Sequence, residues 1–269
     1  MRLPIPFTYA GITYSEASLG KITGGALADA QAAAETGDYF KAILALLAVV
    51  VTEIGEEGGA AETDRAQVKN ILREMPSIDA EYLSTQALAL SGGEDFVEGI
   101  YTCPRAGCGA EIIAEGDNAD RISDMETIYG EADEKIEVKL ASPVRIVNSR
   151  TKEPVVEVRA VSLRQPAVRD YIRAFSRVGM KDQLRYQYAA YAEALELVND
   201  EPIDDRWKGT WGGLVFELME RSDLSEVGRK IRSRGLQTRL QKTCPKCGKR
   251  WDAEVSTSGF FASKVSPPG

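Results

Sequence analysis

The sequence predicts an α+β fold of two tandem repeats, each a β-hairpin followed by helices and closed by a second hairpin built around a pair of cysteines. Three observations carry that expectation. All four cysteines fall in two short turns, Cys103-Pro-Arg-Ala-Gly-Cys108-Gly and Cys244-Pro-Lys-Cys247-Gly. A shift of 144 residues brings Ser18-Leu19 onto Ser162-Leu163, Asp38 onto Asp182 and Asp79 onto Asp223, and the cysteines follow at shifts of 141 and 139. The order of elements then repeats along with the residues, which is the mark of an internal duplication. The boundaries read as 1–134 for the first repeat with Cys103 and Cys108, 135–255 for the second with Cys244 and Cys247, and 256–269 for a C-terminal tail.

In the first repeat, Leu3 to Thr8 and Ile12 to Leu19 alternate around Tyr9-Ala10-Gly11 and read as a hairpin. A helix follows from Gly25 to Glu35 and continues from Tyr39 to Ile54. Gly55 to Thr63 is rich in Gly, Glu and Ala and reads as an exposed loop. A short helix covers Ile78 to Leu83, with Ser77 or Asp79 as its N-cap. Phe96 to Thr102 is a strand into the first cysteine turn, and Ala110 to Ala114 is a strand out of it.

The second repeat opens with Ile136–Leu140 and Val144–Val147, turns through the polar stretch Asn148 to Pro154, and returns along Val155 to Val161. Helices are expected from Pro166 to Val178, where Pro suits a first helical turn, and from Asp182 to Val198. The latter presents Leu184, Tyr188, Tyr191, Leu195 and Val198 at helical spacing, so those residues should share one packed face. A short helix near Ser222, including Asp223 to Val227, leads to the strands Thr238–Thr243 and Arg250–Val255 on either side of the second turn. Trp207 and Trp211 read as anchors of a loop on the core. Phe260-Phe261 either tucks into a core edge or docks on a partner.

At 269 residues and 43% hydrophobic, the chain can bury a substantial core. Its longest apolar run, Ala42 to Val51, is too short to span a bilayer, and Met1-Arg2-Leu3-Pro4 lacks the apolar stretch of a secretory signal, so a cytosolic protein is expected. The net charge of −8 argues against nucleic-acid binding by the whole surface.

Each cysteine turn has Pro after its first cysteine and Gly after its second, a backbone tight enough to aim two thiolates at one metal. In a reducing compartment such spacing favours metal over disulfide. A pair supplies only two of the four ligands zinc prefers, and the chain has no His. Joint ligation of one structural Zn²⁺ by Cys103, Cys108, Cys244 and Cys247 is the economical reading, and makes each turn a zinc knuckle. Free buried thiols and a redox pair are the alternatives, the latter needing a thiolate at a helix N-terminus where Gly248 to Trp251 reads as strand. The basic stretch from Arg221 to Arg250, with Arg229, Arg232, Arg234, Arg239 and Lys246, could bind nucleic-acid phosphate as part of a zinc ribbon. Few aromatics interleave with these charges, which favours instead a solvated face that meets an acidic surface, such as the run from Glu111 to Glu137 or another protein. No phosphate-cradling Gly-rich loop, Gly-x-Ser-x-Gly elbow or helical His pair occurs, so no catalytic residue is assigned and a non-enzymatic protein is expected.

Met75-Pro-Ser-Ile-Asp-Ala-Glu-Tyr-Leu83, then Gly92 through Cys103-Pro, resembles the baseplate hub assembly proteins of T-even-type contractile-tailed phages. That family has a helix opening with an Asp and an aromatic-Leu pair, then a strand into a Cys-Pro-x-Cys-Gly turn and an acidic strand. Ile136 to Val144 followed by Val158 to Asp170 is similar to the opening of tail assembly chaperones in Mu-like phages. The resemblance touches most of both repeats and is most specific at the cysteine turns. It departs at the first turn, where four residues rather than two separate the cysteines and widen the knuckle at Cys108. The resemblance implies a structural or assembly component of a phage or phage-like tail baseplate. Its partners would be hub, tube-initiator or tape-measure proteins, met in the host cytoplasm during assembly or in the virion tail.

Overall fold

The computed structural model describes the chain apart from residues 92–95, 98, 115–119, 123–124, 148–153, 180–181, 205–206, 208–210, 237–238 and 255–269. Its fold is mixed α and β, as expected. Strands β1 (Arg2–Tyr9) and β2 (Ile12–Leu19) form the first hairpin. Thr23 caps α1 (Gly24–Ala34) by accepting from the Ala26 N–H, and Asp38 caps α2 (Tyr39–Val50) by accepting from the Lys41 N–H. The chain passes directly from α2 into β3 (Val51–Gly55) and then β4 (Ala61–Glu62), completing a four-stranded antiparallel sheet in the order β1-β2-β3-β4. Asp64 caps α3 (Arg65–Glu74), and α4 (Ser77–Leu90) follows. Short strands come next: β5 (Phe96–Val97), β6 (Gly99–Thr102), β7 (Glu111–Ala114), β8 (Asp120–Arg121) and β9 (Thr127–Ile128). Of these, β6 pairs with β7 and β5 with β8.

The long hairpin of β10 (Ile136–Val147) and β11 (Pro154–Leu163) leads into α5 (Val168–Val178) and α6 (Gln183–Ala194). Again a helix runs straight into a strand, β12 (Leu195–Val198), and with β13 (Glu201–Pro202) the second sheet has the order β10-β11-β12-β13. The remaining elements are α7 (Gly212–Leu218), α8 (Arg221–Arg232), β14 (Gly235–Leu236), β15 (Arg239–Thr243) and β16 (Arg250–Glu254). Strand β14 pairs with β9, and β15 with β16.

Each sheet covers its own core. Leu3, Ile43, Leu47, Ile54, Leu72 and Leu83 lie in the first; Val158, Leu163, Leu195, Phe216 and Ile231 lie in the second. Full burial of each such side chain contributes about 1.5–3 kcal/mol. A third, smaller cluster of Tyr101, Ala114, Ile122, Met125 and Ala253 sits under the cysteine hairpins.

The two sheet-bearing parts are stitched together. Ser77 N–H donates to Pro166 carbonyl (2.8 Å) and Val168 N–H to Met75 carbonyl (3.0 Å). Phe40 stacks on Tyr171 with ring centroids 4.3 Å apart, and Arg169 ion-pairs with Glu74. At Gly235, with φ +103°, a Cβ would lie 1.9 Å from Ile78 Cγ2, so the closeness of this crossing depends on glycine.

Several expectations are corrected. The helices expected over Tyr39–Ile54 and Asp182–Val198 stop at Val50 and Ala194, and their last residues are strand. The loop expected over Gly55–Thr63 contains β4. Leu184, expected on a packed face, is 60% exposed, because α6 turns Tyr186, Ala189, Ala190 and Tyr191 inward instead. The short helices extend over Ser77–Leu90 and Arg221–Arg232, and their N-cap positions are Pro76 and Glu220 without side-chain caps. Asp79 and Asp223 do other work. Asp79 Oδ1 accepts from the Ile5 N–H in β1 (2.9 Å), and both Asp223 carboxylate oxygens accept from the Ala141 N–H in β10 (3.2 and 3.1 Å). Each aspartate thereby ties a helix start to the first strand of a sheet, satisfying a backbone donor that the ladder leaves over.

Candidate metal centre

Two antiparallel hairpins present the cysteines. The first turn is closed at the end of β6-β7 by Cys103 N–H donating to Ala110 carbonyl (2.9 Å), and the second at the end of β15-β16 by Cys244 N–H donating to Lys249 carbonyl (2.9 Å). After the second cysteine of each turn the chain must enter the left-handed region, with φ +54° at Gly109 and +67° at Gly248. Glycine takes that conformation without the Cβ strain of other residues. The two additional residues of the first turn project outward, where Ala106 and Gly107 are exposed, so the wider spacing does not displace Cys108 from the cluster.

All four Sγ atoms lie within 4.8 Å of one another. Cys103 Sγ is 3.7 Å from Cys247 Sγ, and Cys108 Sγ is 3.7 Å from Cys244 Sγ, so the closest contacts run between hairpins. A tetrahedral zinc with Zn–S near 2.3 Å places its sulfurs about 3.8 Å apart, so the spacing and the soft donor set both suit such an ion. Cys103 and Cys244 are buried, at 3% and 1% exposure, while Cys108 and Cys247 are half-buried. The centre therefore has an inner side on the third core and an outer side toward solvent.

Backbone donors tune the thiols. The Lys249 N–H favours the Cys247 thiolate, and with the other sulfurs outweighs burial, drawing Cys247 down to about 6. The Arg105 N–H favours the Cys103 thiolate likewise, but burial and the neighbouring sulfurs prevail there and push Cys103 up to about 11. Thiols this close lose their protons as a set, the first proton easily and the last with difficulty, until a cation replaces them. None of the four cysteines begins a helix, the setting a redox thiolate would use.

The basic residues considered for nucleic acid fare unequally. Arg229 is engaged by Glu226, with both contacts at 2.7 Å, and Arg234 by Glu134, with both at 3.1 Å. Arg232 and Lys246 are exposed, and the side chain of Arg239 lies outside the described residues. The acidic run from Glu111 to Glu137 supplies Glu134, and the Glu137 carbonyl accepts from Lys230. Trp207 and Trp211 meet edge to face at 5.3 Å on the second core, as expected of anchors. Phe260-Phe261 falls outside the described residues. Sequence reasoning missed the backbone donors of Arg105 and Lys249, although their place two residues after a cysteine was the available signal.

No known family, curated protein or solved structure matches the chain. Among the described residues no helix is long and apolar enough to cross a membrane.

Proposed function

We propose that the chain is a non-enzymatic structural or assembly component built from two copies of one α+β unit, residues 1–134 and 135–255, stapled by one zinc. The observation that carries this reading is the convergence of four thiols from two hairpins more than 130 residues apart in sequence. Four thiolates fill every position of a tetrahedral zinc, so the ion would hold the hairpins together and leave no site for a reacting water.

Duplication is supported position by position. Helices α1 and α5, α2 and α6, and α4 and α8 each start 144 residues apart. Asp38 and Asp182 cap equivalent helices through the N–H three residues on. Both sheets have the same strand order, and Asp79 and Asp223 each reach back to a first strand.

The resemblance of Met75–Leu83 and of the cysteine turns to baseplate hub assembly proteins supports a place in the tail or baseplate of a contractile phage or related injection machine. The nucleic-acid reading is weaker, because Arg229 and Arg234 already hold carboxylates. The test is co-expression with the hub, tube-initiator and tape-measure proteins of the same genome. Copurification with at least one of them is expected; a chain that stays monomeric and retains none would overturn the assignment.

A further inference from the structure

We propose that Arg105 and Lys249, with Lys246 and Arg250, form a cationic collar that holds the four-thiolate centre in its metal-loaded state. The inference rests on the zinc reading above and adds what keeps the ion in place. Four thiolates around a divalent cation leave a net charge of about −2 on a centre whose outer side faces solvent. That charge has to be balanced by the protein or by salt.

The two turns are equipped to balance it. Residues 103–110 and 244–250 contain Arg105, Lys246, Lys249 and Arg250 and no carboxylate at all. All four basic side chains are exposed, and none forms an ion pair among the described residues. Other basic side chains of the molecule do meet carboxylates, Arg164 at Asp170, Arg169 at Glu74, Arg229 at Glu226 and Arg234 at Glu134. What sets the two turns apart is that both bear cations and neither bears a carboxylate beside the thiols.

The placement is matched between the turns. Each turn carries a cation two residues after its first cysteine, Arg105 after Cys103 and Lys246 after Cys244, and Lys249 and Arg250 follow the second cysteine of the second turn. Arg105 also reaches across, its Nη1 donating to the Cys247 carbonyl at 3.3 Å, so one turn's cation braces a ligand of the other. Groups in this outer layer orient ligands and favour their charged form, and losing them commonly weakens metal binding about tenfold or more.

The experiment is zinc competition against a chromophoric chelator, using the full chain and its Arg105→Gln, Lys249→Gln double variant. Glutamine keeps the backbone N–H at both positions, so the change removes only charge and the Arg105 reach. Zinc affinity is expected to fall about tenfold at low salt, with the gap narrowing at high salt as screening replaces the collar. A Lys246→Gln, Arg250→Gln variant should weaken binding in the same direction. A remote Lys21→Gln, Lys69→Gln variant, which loses the same net charge, should leave it unchanged. Affinity within about twofold of the unmutated chain in both collar variants, or an equal loss in the remote variant, would overturn the collar while leaving the zinc reading intact. An unmutated chain that takes up no zinc would remove both.

Discussion

Asp79 is fully buried, and the only hydrogen bond of its carboxyl among the described residues is the one Oδ1 accepts from the Ile5 N–H. Burial raises its carboxyl well above the usual carboxylate range, against the pull of that N–H. Asp79→Ala strands a buried backbone donor and should cost about 1–3 kcal/mol in urea denaturation, whereas Asp79→Asn, which keeps an acceptor, should cost under about 1 kcal/mol at neutral pH. Equal losses in the two variants would show that the Ile5 bond is not what Asp79 supplies. Glu81 gives a pH-dependent counterpart. Burial pushes it up to about 7 from an ordinary 4.5, so the folded chain holds a proton that the unfolded chain releases between those values. Stability through this group is therefore greatest below pH 4.5, and falls as pH rises toward 7. Glu81→Gln should flatten that slope and raise stability at pH 8 relative to the unmutated chain by on the order of 1 kcal/mol, read from denaturation midpoints across pH.

At the scale of elements, the hairpins and the cysteine turns were legible, because each has a local signal, alternation or Pro and Gly punctuation. The switch from α2 to β3 was not. Ala42 to Val51 is one apolar run, Val51 turns extended without a glycine stop, and periodicity cannot separate a buried strand from a buried helix in such a run. The same silence hid the join of α6 to β12. Helix α3 could have been found, since Asp64 caps it and Val68, Ile71 and Leu72 supply its buried face. Tyr186→Ala should cost about 3–5 kcal/mol by analogy with buried aromatics, and Leu184→Ala under about 0.5 kcal/mol, because only Tyr186 faces the core. Comparable losses in thermal denaturation would contradict the observed face of α6. In the second turn, Gly248→Ala forces a side chain into the left-handed region and should cost about 1–2 kcal/mol, with weaker zinc retention.

For the whole molecule, the seam carries its own packing through Phe40, Tyr171 and the Met75–Val168 bond, so a metal held by the four thiols would not be the only link between the two halves. Sequence alone could not reveal that seam, because its contacts join residues that no local pattern relates. Chelation should accordingly loosen the small third core while leaving both sheet cores folded. Trp251 packs on that third core, whereas Trp207 and Trp211 belong to the second. Removing metal with a strong chelator should shift the Trp251 emission, isolated in a Trp207→Phe, Trp211→Phe background, with little change in far-UV circular dichroism. A full collapse of secondary structure would assign the metal a larger role than the seam allows. The most direct test of joint ligation is the zinc count per chain by native mass spectrometry, with Cys103→Ser and Cys247→Ser alongside. One zinc in the unmutated chain, lost in either single variant, is the expected result; two zincs per chain, none, or one that survives both substitutions would contradict a single centre shared by the two hairpins.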